Sequence, residues 1–256
     1  MAMNKLFITL SLLALPAAAS DEKKQWDLTV GVATLAVNLP WKDSDTQVAL
    51  APYVDASYGN WHFGVDNLVR YEYPINKNVS VFTGLIYQDH GYDSSTSLFS
   101  DYSDHQVFNG YDAPKGSFVA TAGMRYAGLS LTVGQDVSDR TKASTASVSL
   151  NLPIWRFGRG AQIKAKASVD WYDKNYVNYY YGIASQQVDV AVGRTAFEGK
   201  AATNYQLGLE AIYPFAKHWA LVISASRTML DDSITDSPLV GADYLDSLAV
   251  VGTYRF

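Results

Sequence analysis

Four histidines, His62, His90, His105 and His218, are the residues of this 256-residue chain best suited to proton transfer, and no cysteine is present as nucleophile or metal ligand. Beside His90 stand Asp93, Ser94 and Ser95, the residue types of a Ser/His hydrolytic site. No glycine-flanked serine elbow accompanies them, so the preferred reading is a polar strand end entering an external loop. His62 reads as an inward strand residue and His218 as a turn residue. The acids Asp43, Asp45, Asp101, Asp104, Asp231, Asp232 and Asp236 could hold divalent cations shared with lipopolysaccharide phosphates, yet none follows a calcium-loop spacing. A solvated external surface is the plainer account. The expectation is a non-enzymatic protein without cofactor or metal site.

What elements would carry these residues? The chain is 48% apolar and 18% charged, and no run reaches the roughly 18 uncharged apolar residues of a spanning helix. A net charge of −5, with only 20 scattered Lys and Arg, argues against nucleic acid as a partner. Eighteen Tyr, 6 Trp, 10 Phe and 18 Gly beside 8 Pro suit strands and tight turns. Residues 1–19 read as a cleaved signal peptide for Sec export: Lys5 is the positive end, 6–15 the apolar stretch, and Ala17, Ala18 and Ala19 the small-residue cleavage site. The mature domain is then 20–256.

A period of two runs through that domain. In 161–172 the odd positions Ala161, Ile163, Ala165, Ala167, Val169 and Trp171 oppose Gln162, Lys164, Lys166, Ser168, Asp170 and Tyr172. A lysine facing lipid at the bilayer midplane costs about 2–4 kcal/mol, so the lysine face must look inward. The same alternation orders 61–73, 118–126 and 205–213, with further strands near 26–37, 47–58, 79–88, 129–137, 143–154, 218–227 and 247–256. It places Arg70, Glu72, Arg125, Asp136, Lys164, Lys166, Asp170, Glu210 and Arg255 in the lumen, where opposite charges pair and fill a narrow barrel more readily than they line a pore.

Three features separate a membrane barrel from a soluble sandwich. Aromatic residues gather at strand ends, as in Tyr73, Tyr126, Trp155, Trp171, Tyr213 and Trp219. Connections 74–78, 127–128, 155–159 and 214–217 are short, whereas 89–116, 173–200 and 228–246 are long, the habit of periplasmic turns and extracellular loops. The final strand closes on Tyr254 and Phe256, an ending that resembles the signal read by the barrel-assembly machinery. The expected fold is therefore an all-β, antiparallel transmembrane β-barrel. Eleven segments are visible, but both ends in the periplasm need an even number. A turn at Asp66-Asn67 gives twelve strands, the preferred count; leaving 26–37 outside the wall gives ten.

Several stretches resemble the MipA/OmpV family of Gram-negative outer-membrane proteins. They are Pro40-Trp41-Lys42-Asp43-Ser44-Asp45-Thr46, Ala51-Pro52-Tyr53-Val54, Gly59-Asn60-Trp61-His62-Phe63, and the tyrosine run ending Tyr180-Tyr181-Gly182. Asp236-Ser237-Pro238 and the terminal Gly252-Thr253-Tyr254-Arg255-Phe256 complete the match. Ile183 and Ala184 stand where the family motif has Val and Ser, and 89–116 matches less well. The resemblance implies an outer-membrane scaffold among lipid and lipopolysaccharide, linking a lytic transglycosylase that cuts peptidoglycan to a penicillin-binding synthase that builds it. Alternatives are a small-solute channel and an adhesin acting through its outer loops. Tyr176, Tyr179, Tyr180 and Tyr181 suit either a contact surface or a lid packed over the barrel mouth.

Overall fold

The computed structural model of the chain describes residues 25–65, 67–90, 92, 103, 105–158 and 160–256. The expected signal segment 1–19 lies outside these residues, as do Asp66, Asp93, Ser94, Ser95, Asp101 and Asp104. Twelve strands form the wall: β1 Trp26–Val37, β2 Gln47–Tyr58, β3 Trp61–Gly64, β4 Val69–Pro74, β5 Val79–Gln88, β6 Ser117–Tyr126, β7 Leu129–Asp136, β8 Ser144–Phe157, β9 Ala161–Tyr172, β10 Ala202–Pro214, β11 Trp219–Met229 and β12 Tyr244–Arg255. Each pairs antiparallel with its sequence neighbour, and β1 meets β12 from Thr29↔Arg255 to Val37↔Ser247, closing the barrel. No helix among the described residues is long and apolar enough to cross a membrane.

The count of twelve is borne out, and the ten-strand alternative fails because β1 pairs along both of its edges. The interruption at Asn67 marks a real reversal. Gly64 N–H donates to the Asn67 carbonyl at 2.9 Å, splitting 61–73 into the short pair β3 and β4. Gly59, at φ 59°, takes the left-handed conformation that the tight β2–β3 turn requires. A second boundary is corrected: 155–159 is not a turn. β8 continues through Trp155, Arg156 and Phe157, and a register shift between Pro153 and Trp155 restores the pairing of Trp155 with Ile163. The reversal falls between Phe157 and Ala161, with Gly158 and Gly160 at φ 54° and 90°.

The alternation separates two environments. On β10, Leu207 and Leu209 are 60% and 53% exposed on the outer face, whereas the Glu210 side chain on the inner face is 15% exposed. Aromatic pairs collect where strands leave the short-turn end, with Trp26–Tyr58 and Trp219–Tyr254 centroids 5.2 and 5.0 Å apart. Tyr254 and Phe256 stack edge-on at 4.9 Å beside them. Such a girdle marks the membrane–water boundary. Placing a lysine at Leu209, midway along β10, is expected to cost about 2–4 kcal/mol of folding free energy in lipid vesicles, measured by urea titration of tryptophan fluorescence. Gln206→Lys, on the inner face of the same strand, is expected to cost less than half as much.

Candidate functional site

The inner wall carries its charges in small, shared clusters. Lys164 Nζ donates to Glu210 Oε1 at 3.2 Å while Lys166 bonds Oε2 of the same carboxylate. Register explains the meeting, because Glu210 lies opposite Lys164 and Gly208 opposite Lys166. Arg125 reaches Glu72 at 2.7 Å and Arg70 approaches it at 3.4 Å, while the Ser80 hydroxyl donates to it at 2.6 Å. Asp170 accepts from the Ser147 and Ser168 hydroxyls, each at 2.6 Å. Arg255 forms a bidentate pair with Asp27 where the end of β12 meets the start of β1. Asp136 behaves differently: it is 8% exposed and its carboxylate accepts the backbone N–H groups of Ser138, Thr141 and Lys142, each at 2.8 Å. It stitches the β7–β8 loop.

Above the wall, the long loops close over the mouth around an apolar core. Trp41, Val107, Phe108, Tyr176, Tyr180, Tyr181, Ile183, Leu239 and Val240 are all buried there, although they come from four different connections. Two helices help to build it. α1 spans Lys174–Tyr181, capped by the Asp173 carboxylate on Tyr176 N–H, and α2 is the single turn Asp232–Thr235, capped by Asp231 on Ser233 N–H. Three of the four tyrosines of α1 are thus a lid and not an exposed contact surface, with Tyr176, Tyr180 and Tyr181 2%, 0% and 5% exposed and Tyr179 partly buried against them.

The stretches that carry the family resemblance meet one another in this cap. The Ser237 hydroxyl donates to the Tyr181 carbonyl at 2.7 Å, and Trp41 pairs with Val240 as an isolated bridge, its ring tilted against that of Tyr181 at 5.4 Å. Gly182 ends α1 by donating to Asn178 O, Asp236 N–H donates to Asp232 O, and the Pro238 carbonyl accepts from Lys42 Nζ. Tyr180 hydroxyl reaches the Gln88 carbonyl at the top of β5. One residue of the cap carried no signal in the sequence. Arg194, 4% exposed, donates to the carbonyls of Gln187, Val107 and Asn109 at 2.6, 2.5 and 2.9 Å, so a charged fork ties two loops from their undersides.

Little of this arrangement resembles catalysis. His90 Nδ1 bonds the Tyr176 hydroxyl, and the serines proposed beside it lie outside the described residues. His105 caps a short turn through Val107 N–H, His62 stands opposite Arg70, and His218 bonds the Arg255 carbonyl. Among the described residues no group of three or more His, Asp or Glu is placed to hold a metal ion. The site is a barrel mouth with packed loops above it.

A family model described as MltA-interacting protein MipA matches residues 28–256. The chain is 26% identical over 252 residues to the MltA-interacting protein of Escherichia coli strain K12, with 96% of each chain covered. It is 27% identical over 74 residues to the outer membrane protein OmpV of Vibrio cholerae, covering 29% of this chain and 28% of that one. Among solved structures, OmpT, an outer membrane protein of Vibrio cholerae, aligns with a TM-score of 0.38 at 8% identity, covering 93% of this chain and 99% of that chain.

Two outcomes follow from the cap. Burial pushes the hydroxyls of Tyr176, Tyr180 and Tyr181 above the ordinary value near 10. Folded and opened states are both neutral below about pH 10, so the cap keeps its full stability there; above it the opened tyrosines ionise first and stability falls. Subtracting the tyrosinate absorbance titration of Tyr176→Phe/Tyr180→Phe from that of the wild type should leave a step above pH 10 that coincides with loss of near-ultraviolet dichroism. A step centred at about 10 would contradict the burial. Arg194→Ala strands three carbonyls, and at about 1–3 kcal/mol per unsatisfied group the amides of 105–111 should exchange at least about tenfold faster.

Proposed function

This chain belongs to the MltA-interacting protein MipA family, and from that premise we propose that it is a non-enzymatic docking platform of the outer membrane. In this reading its periplasmic end joins a lytic transglycosylase that cuts peptidoglycan to a penicillin-binding synthase that builds it. The relative whose name records an MltA interaction covers 96% of this chain, which supports carrying the partner class across. The outer-membrane location itself is shared with relatives named as outer membrane proteins.

The observation that carries the reading is an asymmetry between the two ends of the barrel. At the long-loop end, Tyr176, Tyr180 and Tyr181, which could have formed a contact face, are packed in the cap's own core. At the short-turn end, β8 runs on past Leu150, its last residue paired with β7, so Leu152–Phe157 offer a strand edge with β9 on one side only. Ile154, Trp155 and Phe157 are 60%, 64% and 45% exposed there. A standard interface buries about 800 Å² per partner, more than a two-residue turn such as 127–128 supplies. An incoming strand that pairs with β8 adds backbone hydrogen bonds to aromatic contact area, which answers that difficulty.

Capture of the purified lytic transglycosylase by detergent-extracted barrel tests this. Ile154→Ser/Trp155→Ser/Phe157→Ser, checked for folding by heat-modifiable gel migration, should lower capture at least tenfold. Capture that survives both this variant and replacement of 75–78, 127–128 and 215–218 would overturn the proposal.

A further inference from the structure

The outer wall is not uniformly convex. A groove of about 960 Å³ runs across it over β8, β9, β10, β11, β12 and β1. Its course follows one register row, because Asn151, Lys166, Gly208, Ser226, Ser247 and Val37 are successive partners from β8 to β1. These residues turn their side chains inward and leave only backbone as the floor. Outward neighbours form the banks: Leu150 and Leu207 on one side, Leu152, Leu209 and Leu248 on the other, with the small Ala225 keeping the trough open. Asn151 N–H meets the Gly128 carbonyl at a short turn, whereas Val37 is the last residue of β1 before a long loop. The groove therefore descends diagonally from the long-loop end toward the short-turn end. From β12 to β8 it is roughly 19 Å long at about 4.8 Å per strand.

Its upper end is polar and unusual for a lipid-facing surface. Arg227 stands on the outer face of β11, its Nε and Nη2 donating to Asp246 at 2.7 and 2.6 Å, its guanidinium 4.2 Å above the Tyr244 ring. An arginine facing lipid is costly at mid-membrane and nearly neutral at the interface, so this one marks the headgroup level. Asp246 engages two of its five N–H groups and fixes the fork, leaving three donors directed outward. A planar guanidinium so held matches the oxygens of a phosphate.

We propose that the groove seats one acyl chain of a phosphorylated lipid of the outer leaflet, with a phosphate of that lipid held by Arg227. Apolar banks of chain length, and a cation at the depth where a phosphate lies, are the two halves of one amphipathic ligand. Asp246 and Tyr244 are positioning residues for the arginine.

Native mass spectrometry of the barrel released from detergent, with lipid A or enzymatically dephosphorylated lipid A added, tests both halves. Wild-type protein should retain one lipid A and retain the dephosphorylated form several-fold less. Ala225→Phe, which fills the trough from the lipid side, should lower lipid A retention at least tenfold, whereas Ala211→Phe, on the same outer face beyond the groove, should match wild type. Arg227→Gln should abolish the preference for the phosphorylated form. Equal retention by Ala225→Phe and Ala211→Phe, both shown folded by heat-modifiable migration, would overturn the acyl-chain assignment. A preference that persists in Arg227→Gln would overturn the phosphate assignment.

Discussion

Hydrocarbon offers no hydrogen-bond partner, so each backbone N–H and C=O in the membrane must be satisfied within the wall. Closure of β12 onto β1 meets that demand, and most other features are adjustments to it. Because the strands must number evenly and β1 begins and β12 ends at the short-turn end, the sequence between β2 and β5 folds into the stub hairpin β3–β4. The irregularity at Pro153 answers the same constraint. A proline lacks the N–H that a ladder needs, and the register shift beside it lets β8 resume pairing with β9.

A barrel wall turns its apolar side chains to lipid and its polar ones to the lumen, which leaves no ordinary hydrophobic core between sheets. In this protein that core sits in the cap. Trp41, Phe108, Tyr181, Leu239 and their neighbours bury one another across the mouth, and the loops that bear them are joined by specific polar links, Ser237 to Tyr181 and Arg194 to Val107 and Asn109. Arg194 is held by three carbonyls with its guanidinium 5.9 Å from the centre of the Tyr111 ring, so among the described residues dipoles and a ring face satisfy its charge. Below the cap, each of Glu72 and Glu210 is shared by two cations, so charge and volume together fill the inner wall.

Much of the wall was legible because period-two alternation is a local property. The opposition of Lys164 and Lys166 to Ala165 and Ala167 needs no knowledge of partners, and the break at Asn67 signals the β3–β4 reversal by interrupting an apolar face. The end of β8 was misplaced for a physical reason: Pro153 reads as a terminator, and the adjacent register shift reverses the parity beyond it. The cap was legible only in fragments. Asp173 and Gly182 bracket α1 as cap residues do, yet tyrosine serves equally in a buried lid and in an exposed contact face, so composition left the choice open. Arg194 was invisible, since its partners Val107 and Asn109 lie 87 and 85 residues away.

The central claim is that interlocked loops seal the long-loop end of a narrow, charge-filled barrel. Ion conductance of the purified, unaltered protein in planar lipid bilayers reads this directly. The account predicts no current above that of the bare bilayer, with steps emerging only when the interlock is broken by Trp41→Ala together with Ser237→Ala. Steady open-channel steps from the unaltered protein would contradict it.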